Sequence, residues 1–267
     1  GSWEPDWLSK QDSNGISLAQ ALRDFGLVSE QIHLAKRKPS DFIGYLELHI
    51  EQGPLLESED LALGVVTAIN GAKRLNFSLK GIAGHAGTVP MSLRQDALVG
   101  VSEVILAAEF IAKEFAVVAT VGKIACRPGA VNVIPSDVSF SLDIRAPDNQ
   151  QRDVALFEIT KAAKEIAVRR QLELSYDCFY SSDATPCSGF LQEKLTDAVT
   201  KVQGRSMSLA SGAGHDAIAI AALCEVGMLF MRCKGGISHN PLETVCIDDI
   251  DLALEALEQT IYALSQS

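Results

Sequence analysis

The chain has 267 residues, 47% of them hydrophobic, enough to bury one large core or two of medium size. Its 34 acidic and 23 basic residues leave a formal charge of -11, which opposes nucleic acid as a partner, because counterion release along a phosphate backbone needs clustered Lys and Arg. The longest apolar stretch, 217–231, is broken by Glu225 and Gly227 and falls short of the roughly 20 residues that span a bilayer, so no membrane segment is expected.

At the start of the chain, Trp3, Glu4, Asp6 and Trp7 stand where a secretory signal would need a basic and then an apolar run. The six cysteines are far apart and form no Cys-x-x-Cys pair. That spacing fits reduced thiols in cytoplasm better than a disulfide framework or a zinc-thiolate site. The charge-rich stretch 29–41 reads as a surface connection. From 44 to 52 the side chains alternate, with Leu46, Leu48 and Ile50 on one face and Tyr45, Glu47, His49 and Glu51 on the other, which predicts a strand ending at Gly53-Pro54.

Residues 72–180 then read as a β-α-β-β-α-β unit of ferredoxin-like pattern. Its strands are expected over 75–82, 117–126, 132–145 and 172–180, and its helices over 91–115 and 150–170. The first helix shows apolar residues at Leu98, Val101, Ile105, Ala108 and Ala112, spacings of three and four that make one buried stripe. Helices over 189–203, 216–224 and 248–265 alternate with strands over 207–210 and 226–233, a pattern that predicts a mostly parallel sheet flanked by helices. The expected class is therefore α/β, with a partial α/β catalytic domain interrupted by the ferredoxin-like unit. Expected boundaries are 1–70 and 183–267 for the interrupted domain and 71–182 for the insertion.

Three of the five histidines sit at strand-to-loop transitions beside Gly, Asn or Pro: His49 in HIEQGP, His85 in GHAGTVP and His239 in GISHNP. An imidazole at the carboxyl end of a strand in an open sheet is a candidate metal ligand or base, and equally a polar strand face turned to solvent. Arg74, Asn132 and Arg145 are candidates for gripping a carboxylate, since a guanidinium offers two parallel hydrogen bonds. The segment SGAGHDA, with Gly214 and His215, opens a helix after a short strand and suits an anion or a tight turn. It also meets the loose dinucleotide pattern, but no acidic residue follows about 20 positions on to hold a ribose.

Taken together, ELHIEQGPLLE (47–57), GHAGTVPMSLRQDAL (84–98), NVIP with LDIR (132–145), SGAGHDA and GISHNPLE closely resemble the N-carbamoyl-L-amino-acid hydrolase and allantoate amidohydrolase family, of the dinuclear-metal aminoacylase and carboxypeptidase clan. The resemblance implies hydrolysis of a ureido C–N bond by a cytoplasmic homodimer that joins through the inserted domain. It implies that His49 and His239 each bind one of two divalent ions, zinc or manganese. It further implies that His85 reaches across the dimer to stabilise an oxyanion, and that Arg74, Asn132, Arg145, Gly214, His215 and Gln52 contact the substrate. The His-x-Asp pair, bridging Asp and Glu-Glu pair of that family find no counterpart here: none of the five histidines has Asp two places on, and no Glu-Glu occurs. The chain is thus expected to correspond to the C-terminal two-thirds of such an enzyme and to be inactive alone. The alternative expectation is a non-catalytic dimerisation or small-molecule-binding module.

Overall fold

The structure is a computed structural model and describes residues 3–266. It opens with short helical turns, of which α1 (Leu18–Asp24) is capped by the Ser17 side chain accepting from the Gln20 amide. The 29–41 stretch forms two 3-10 turns whose residues, Ser29 apart, are largely exposed, as expected of a surface connection. Next come β1 (Tyr45–Ile50), the single turn α2 (Leu55–Ser58) and β2 (Leu63–Ile69). The chain continues through β3 (Gly71–Lys80), β4 (Gly84–His85), α3 (Ala97–Glu114), β5 (Val118–Thr120), β6 (Ile124–Arg127) and β7 (Val133–Ile134). β8 (Asp137–Ala146), α4 (Asn149–Arg170) and β9 (Glu173–Ser182) complete that region. The last part holds β10 (Thr185–Pro186), α5 (Gly189–Gln203), β11 (Ser208–Ser211), α6 (Ala217–Ile220), β12 (Val226–Met231) and α7 (Ile247–Ser265).

One sheet joins segments from both ends of the chain. β1 lies parallel to β12, with His49 beside Phe230, while β2 runs antiparallel to β12 and parallel to β11. The sheet is therefore mixed, which corrects the expectation of a mostly parallel one. The reason is β2, whose sequence LGVVTAI is buried on both faces and so shows none of the alternation that marks a half-buried strand. Helices α5 and α7 cover one face, where Leu195, Val199, Ala253 and Ala256 meet Leu63, Leu229 and, from β1, Leu46, Leu48 and Ile50. Tyr45 packs instead into the opposite core with Val66, Met228, Phe230 and Ala217. The period-2 reading of β1 holds: its polar face is turned toward α6.

The second sheet has the order β5-β8-β3-β9 with β6 also on β8, all pairs antiparallel. Leu75, Phe77, Leu79, Phe140, Leu142 and Ile144 pack under α3 and α4, giving the β-α-β-β-α-β order read from periodicity. Several boundaries move: the strand expected over 117–126 is two, β5 and β6, and the helix expected over 216–224 ends at Ile220. The helix expected from 91 begins at Ala97, because the Asp96 side chain accepts from the Leu98 and Val99 amides and caps it there. The strand expected over 132–145 is split at Pro135, so that β7 pairs with β4 and β8 with β3. Among the described residues no helix is long and apolar enough to cross a membrane, and the six cysteines are unbridged.

Candidate active site

The polar face of β1 supplies the first group. The Nδ1 of His49 lies 2.8 Å from the Ile50 carbonyl oxygen. A carbonyl only accepts, so Nδ1 carries the proton and Nε2 keeps its lone pair, the tautomer a metal ligand needs. The ring of His215 stands edge-on to it, with centroids 4.6 Å apart at 78°. His215 is fully buried: its Nε2 is 2.5 Å from the Ser211 hydroxyl, and its Nδ1 faces Glu47 Oε1 at 3.3 Å without hydrogen-bond alignment. The other carboxylate oxygen of Glu47 accepts from the Ala217 amide at 2.9 Å and from the Tyr45 hydroxyl at 3.3 Å.

Burial holds the His215 imidazole below the ordinary histidine range, aided by the neighbouring His49 and opposed by Glu47. Burial, with the nearby Glu47 charge, pushes the Tyr45 phenol up. Ser211, His215 and Glu47 are spaced like a nucleophile, base and orienting acid. Ser211 is nonetheless wholly inaccessible, and its Oγ accepts from the Ala213 amide at 3.2 Å, so no carbonyl can reach it. The His215 ring, expected to contact substrate, has no exposed side-chain surface. In its loop Gly212 lies on the wall of the cavity described below.

Gln52 and His239 meet this region at the carboxyl end of β1. Gln52, in the left-handed region at φ 57, donates to the Ser238 hydroxyl at 2.8 Å. Gly236 sits so close to the loop after β1 that a Cβ there would lie 2.6 Å from the Gly53 carbonyl carbon. These contacts hold the 234–239 loop beside the end of the strand that carries His49. His239 itself is exposed, at φ 56, and its amide donates to Glu243 at 3.1 Å. Among the described residues no three His, Cys, Asp or Glu side chains converge to hold a metal ion. His49 fits a metal in tautomer, but the residues present do not form a complete ligand set.

A cavity of about 650 Å³ opens between the two sheets, walled by Asn70, Arg74, Lys123, Asp143, Arg145 and Gly212 among others. Arg145 grips Asp143 through Nε and Nη2 at 2.7 and 2.9 Å, and its Nη1 crosses to the Gly212 carbonyl at 2.7 Å. Arg74 uses only Nε on Asp143, at 2.9 Å, and lies over the Tyr180 ring at 4.7 Å, leaving its terminal nitrogens for a ligand. Asp143 is drawn up by burial, but hydrogen bonds from Arg145 and Arg74 outweigh this and hold its carboxyl below the usual range. The stability it contributes is complete above the ordinary carboxylate pKa of about 3.9 and is lost as pH falls through the lower folded value. The gap in melting temperature between the wild type and Asp143→Asn is therefore expected to be constant above about pH 5 and to close below about pH 4. A gap that persists to low pH would show that the charge of Asp143 is not what stabilises the arginine pair.

Of the residues singled out from sequence, the structure brings Arg74 and Arg145 together on one cavity wall, and places His49 with Gln52 and the His239 loop at one strand end. It does not bring His85 or Asn132 to that cavity. His85 lies opposite Val133 in the β4–β7 pair, the next amide, of Ala86, donates to the Asn132 carbonyl at 2.9 Å, and both His85 and Asn132 are exposed. They lie beyond the far end of β3, about 20 Å along the strand from Arg74 at ~3.4 Å per residue. His85 Nδ1 accepts from the Gly87 amide at 3.0 Å, which leaves Nε2 as an exposed donor. Sequence reading missed Asp143 and Ser211. Asp143 was visible as the acidic residue two positions before Arg145, on the same strand face.

Comparison with known proteins follows this geometry. Residues 19–263 match the peptidase family M20/M25/M40. The chain is 38% identical over 266 residues to an N-carbamoyl-L-amino-acid amidohydrolase of Pseudomonas sp. (strain NS671), covering 98% of this chain and 64% of that protein. It is 39% identical to an allantoate deiminase of Arabidopsis thaliana, covering 94% of this chain and 54% of the relative. The fold matches that of a putative amidohydrolase/peptidase from Burkholderia cenocepacia with a TM-score of 0.89 at 29% identity, covering 98% of this chain and 63% of the other. The chain thus spans somewhat more than half, and less than two thirds, of the length of these relatives. With nearly its whole length matched, the chain belongs to the peptidase family M20/M25/M40.

Proposed function

We propose that this chain supplies the carboxylate-recognising part and two metal ligands of an amidohydrolase that cleaves the C–N bond of a ureido acid, an N-carbamoyl amino acid or an allantoate-like compound. The observation that carries the reading is the Arg74–Asp143–Arg145 cluster, set on a cavity wall and tied through Gly212 to the loop that ends at His215. The names of the relatives support the substrate class. In this reading Arg74 and Arg145 hold the substrate carboxylate, Gln52 steadies the loop of His239, and His49 and His239 face the scissile group. The paired zinc or manganese ions of the resemblance need ligands that do not join these two imidazoles among the described residues. The part played by this chain alone is therefore recognition. Titration with an N-carbamoyl amino acid, followed by calorimetry, tests it: Arg145→Ala is expected to weaken binding about 10- to 100-fold, the loss of hydrogen bonds to a charged group worth ~1.5–3 kcal/mol. Equal binding by both proteins would remove the arginine pair from the site.

The reading includes a division into an interrupted catalytic unit, 1–70 with 183–267, and an inserted unit, 71–182, that joins two copies. Among the described residues β9 pairs with β3 alone and its other edge is unpaired, and Tyr176, Phe179, Val154, Phe157 and Val168 are exposed on β9 and α4. An open edge beside apolar helix surface suits pairing with a second copy, and in this reading the exposed His85 serves the partner's site. Light scattering at micromolar concentration is expected to report a dimer, and Phe157→Glu a monomer. A monomeric wild type would refute this arrangement.

A further inference from the structure

We infer that His215 is a positioning residue: with Ser211 and Glu47 it forms a buried strut that holds the His49 ring in one orientation with Nε2 free before any metal or substrate arrives. The inference rests on the reading above only in taking His49 as a ligand. The charge of Glu47 favours a proton on Nδ1, which faces that carboxylate at 3.3 Å, with Nε2 accepting from the Ser211 hydroxyl at 2.5 Å while Ser211 Oγ accepts from the Ala213 amide. Glu47 is itself fixed by the Ala217 amide and the Tyr45 hydroxyl. A buried ring bonded at Nε2 to Ser211, with Nδ1 beside the Glu47 carboxylate, cannot flip without breaking the Ser211 contact, and Phe230 closes a further side with centroids 5.7 Å away. His215 therefore presents a rigid wall to His49, whose only hydrogen bond is the one from Nδ1 to Ile50. Without that wall one bond would remain to choose among the ring's rotamers and tautomers.

A histidine that merely filled the core would need neither the carboxylate nor the serine. The difference can be measured on the whole, metal-free chain. Long-range proton–nitrogen correlation spectra above pH 7 read the tautomer of His49 directly, with His49→Gln identifying its signals. The wild type is expected to show a single His49 tautomer protonated at Nδ1. Glu47→Gln, Ser211→Ala and His215→Phe are expected to lose it, the ring signals moving toward the average of the two neutral tautomers while the circular dichroism spectrum is kept. Should His215→Phe fail to fold, the first two variants decide. A single, unshifted His49 tautomer in the folded variants overturns the strut. The same samples separate this from the functional reading: a wild type that binds no ureido acid but holds His49 in one tautomer sinks the function and leaves the strut standing. Ureido-acid binding with an indifferent His49 does the reverse.

Discussion

Purified and supplied with zinc or manganese at neutral pH, the 267-residue chain is expected to leave N-carbamoyl amino acids and allantoate intact. Adding a polypeptide that carries the His-x-Asp and Glu-Glu segments implied by the family resemblance should raise turnover by about 1,000-fold or more. The size follows from what a bound metal contributes to such reactions, several kcal/mol of charge stabilisation and an activated water, with ~1.36 kcal/mol for each factor of ten. In the proposed function the chain supplies the recognition half of that machinery, for which it has an arginine pair on a cavity wall and an imidazole with its proton on Nδ1. Among the described residues no three His, Cys, Asp or Glu side chains come together to hold a metal ion, and fewer than three do not hold zinc tightly. In the complemented mixture His49→Ala should return turnover to background, while Arg145→Ala should mainly raise KM. Metal-dependent hydrolysis by the chain alone would show that the described residues assemble a site their geometry does not display, and would overturn the proposal of a shared active site.

The parts of this molecule that could be read from sequence are those where one local rule acts alone. β1 alternates because one face meets α5 and α7 and the other carries Tyr45, Glu47 and His49, so its polar face was legible residue by residue. α5 ends at the expected place because Gly204 takes the left-handed conformation just past Gln203. What escaped depended on distant partners. β2 is apolar on both faces, and nothing within LGVVTAI says that it enters between β12 and β11, antiparallel to the first and parallel to the second. His215 looked like a loop residue open to an anion, because the sequence shows its glycines but not the carboxylate of Glu47, 168 positions earlier, under which the ring is buried. Asp143 is hidden for the opposite reason: an arginine in a sequence points equally to an external carboxylate and to an internal one, and only the fold shows that Asp143 pairs with both Arg74 and Arg145.

The second large effect concerns the place where the two sheets join. The chain crosses between them twice, at 69–71 and 182–185, and Gly71 lies where these crossings touch. A Cβ there would come within 2.5 Å of both the Ala184 amide nitrogen and Arg152 Nη1, and 2.7 Å from Asn149 Oδ1. None of the three can yield freely. The Ala184 amide donates to Asn149 Oδ1 at 2.9 Å, and Arg152, 1% exposed, donates to the Ser182 carbonyl at 2.8 Å and pairs with Asp153 at 2.9 Å. Relief of the overlap must therefore break a buried charge-assisted bond or shift the β9–β10 crossing itself, and Gly71→Ala is expected to cost about 3 kcal/mol, at the upper end of ordinary overpacking. For a chain of this size that corresponds to a fall of roughly 6–12 °C in melting temperature by calorimetry. Gly122→Ala is the control, since nothing lies within 4 Å of a Cβ there, and it should stay within ~0.5 kcal/mol of wild type. If both alanines leave the melting temperature unchanged, the crossing is looser than its contacts indicate. Because Asn70, adjacent to Gly71, binds the Ser211 carbonyl at 2.8 Å and also walls the cavity, Gly71→Ala should weaken ureido-acid binding along with stability, whereas a loose crossing predicts that neither moves.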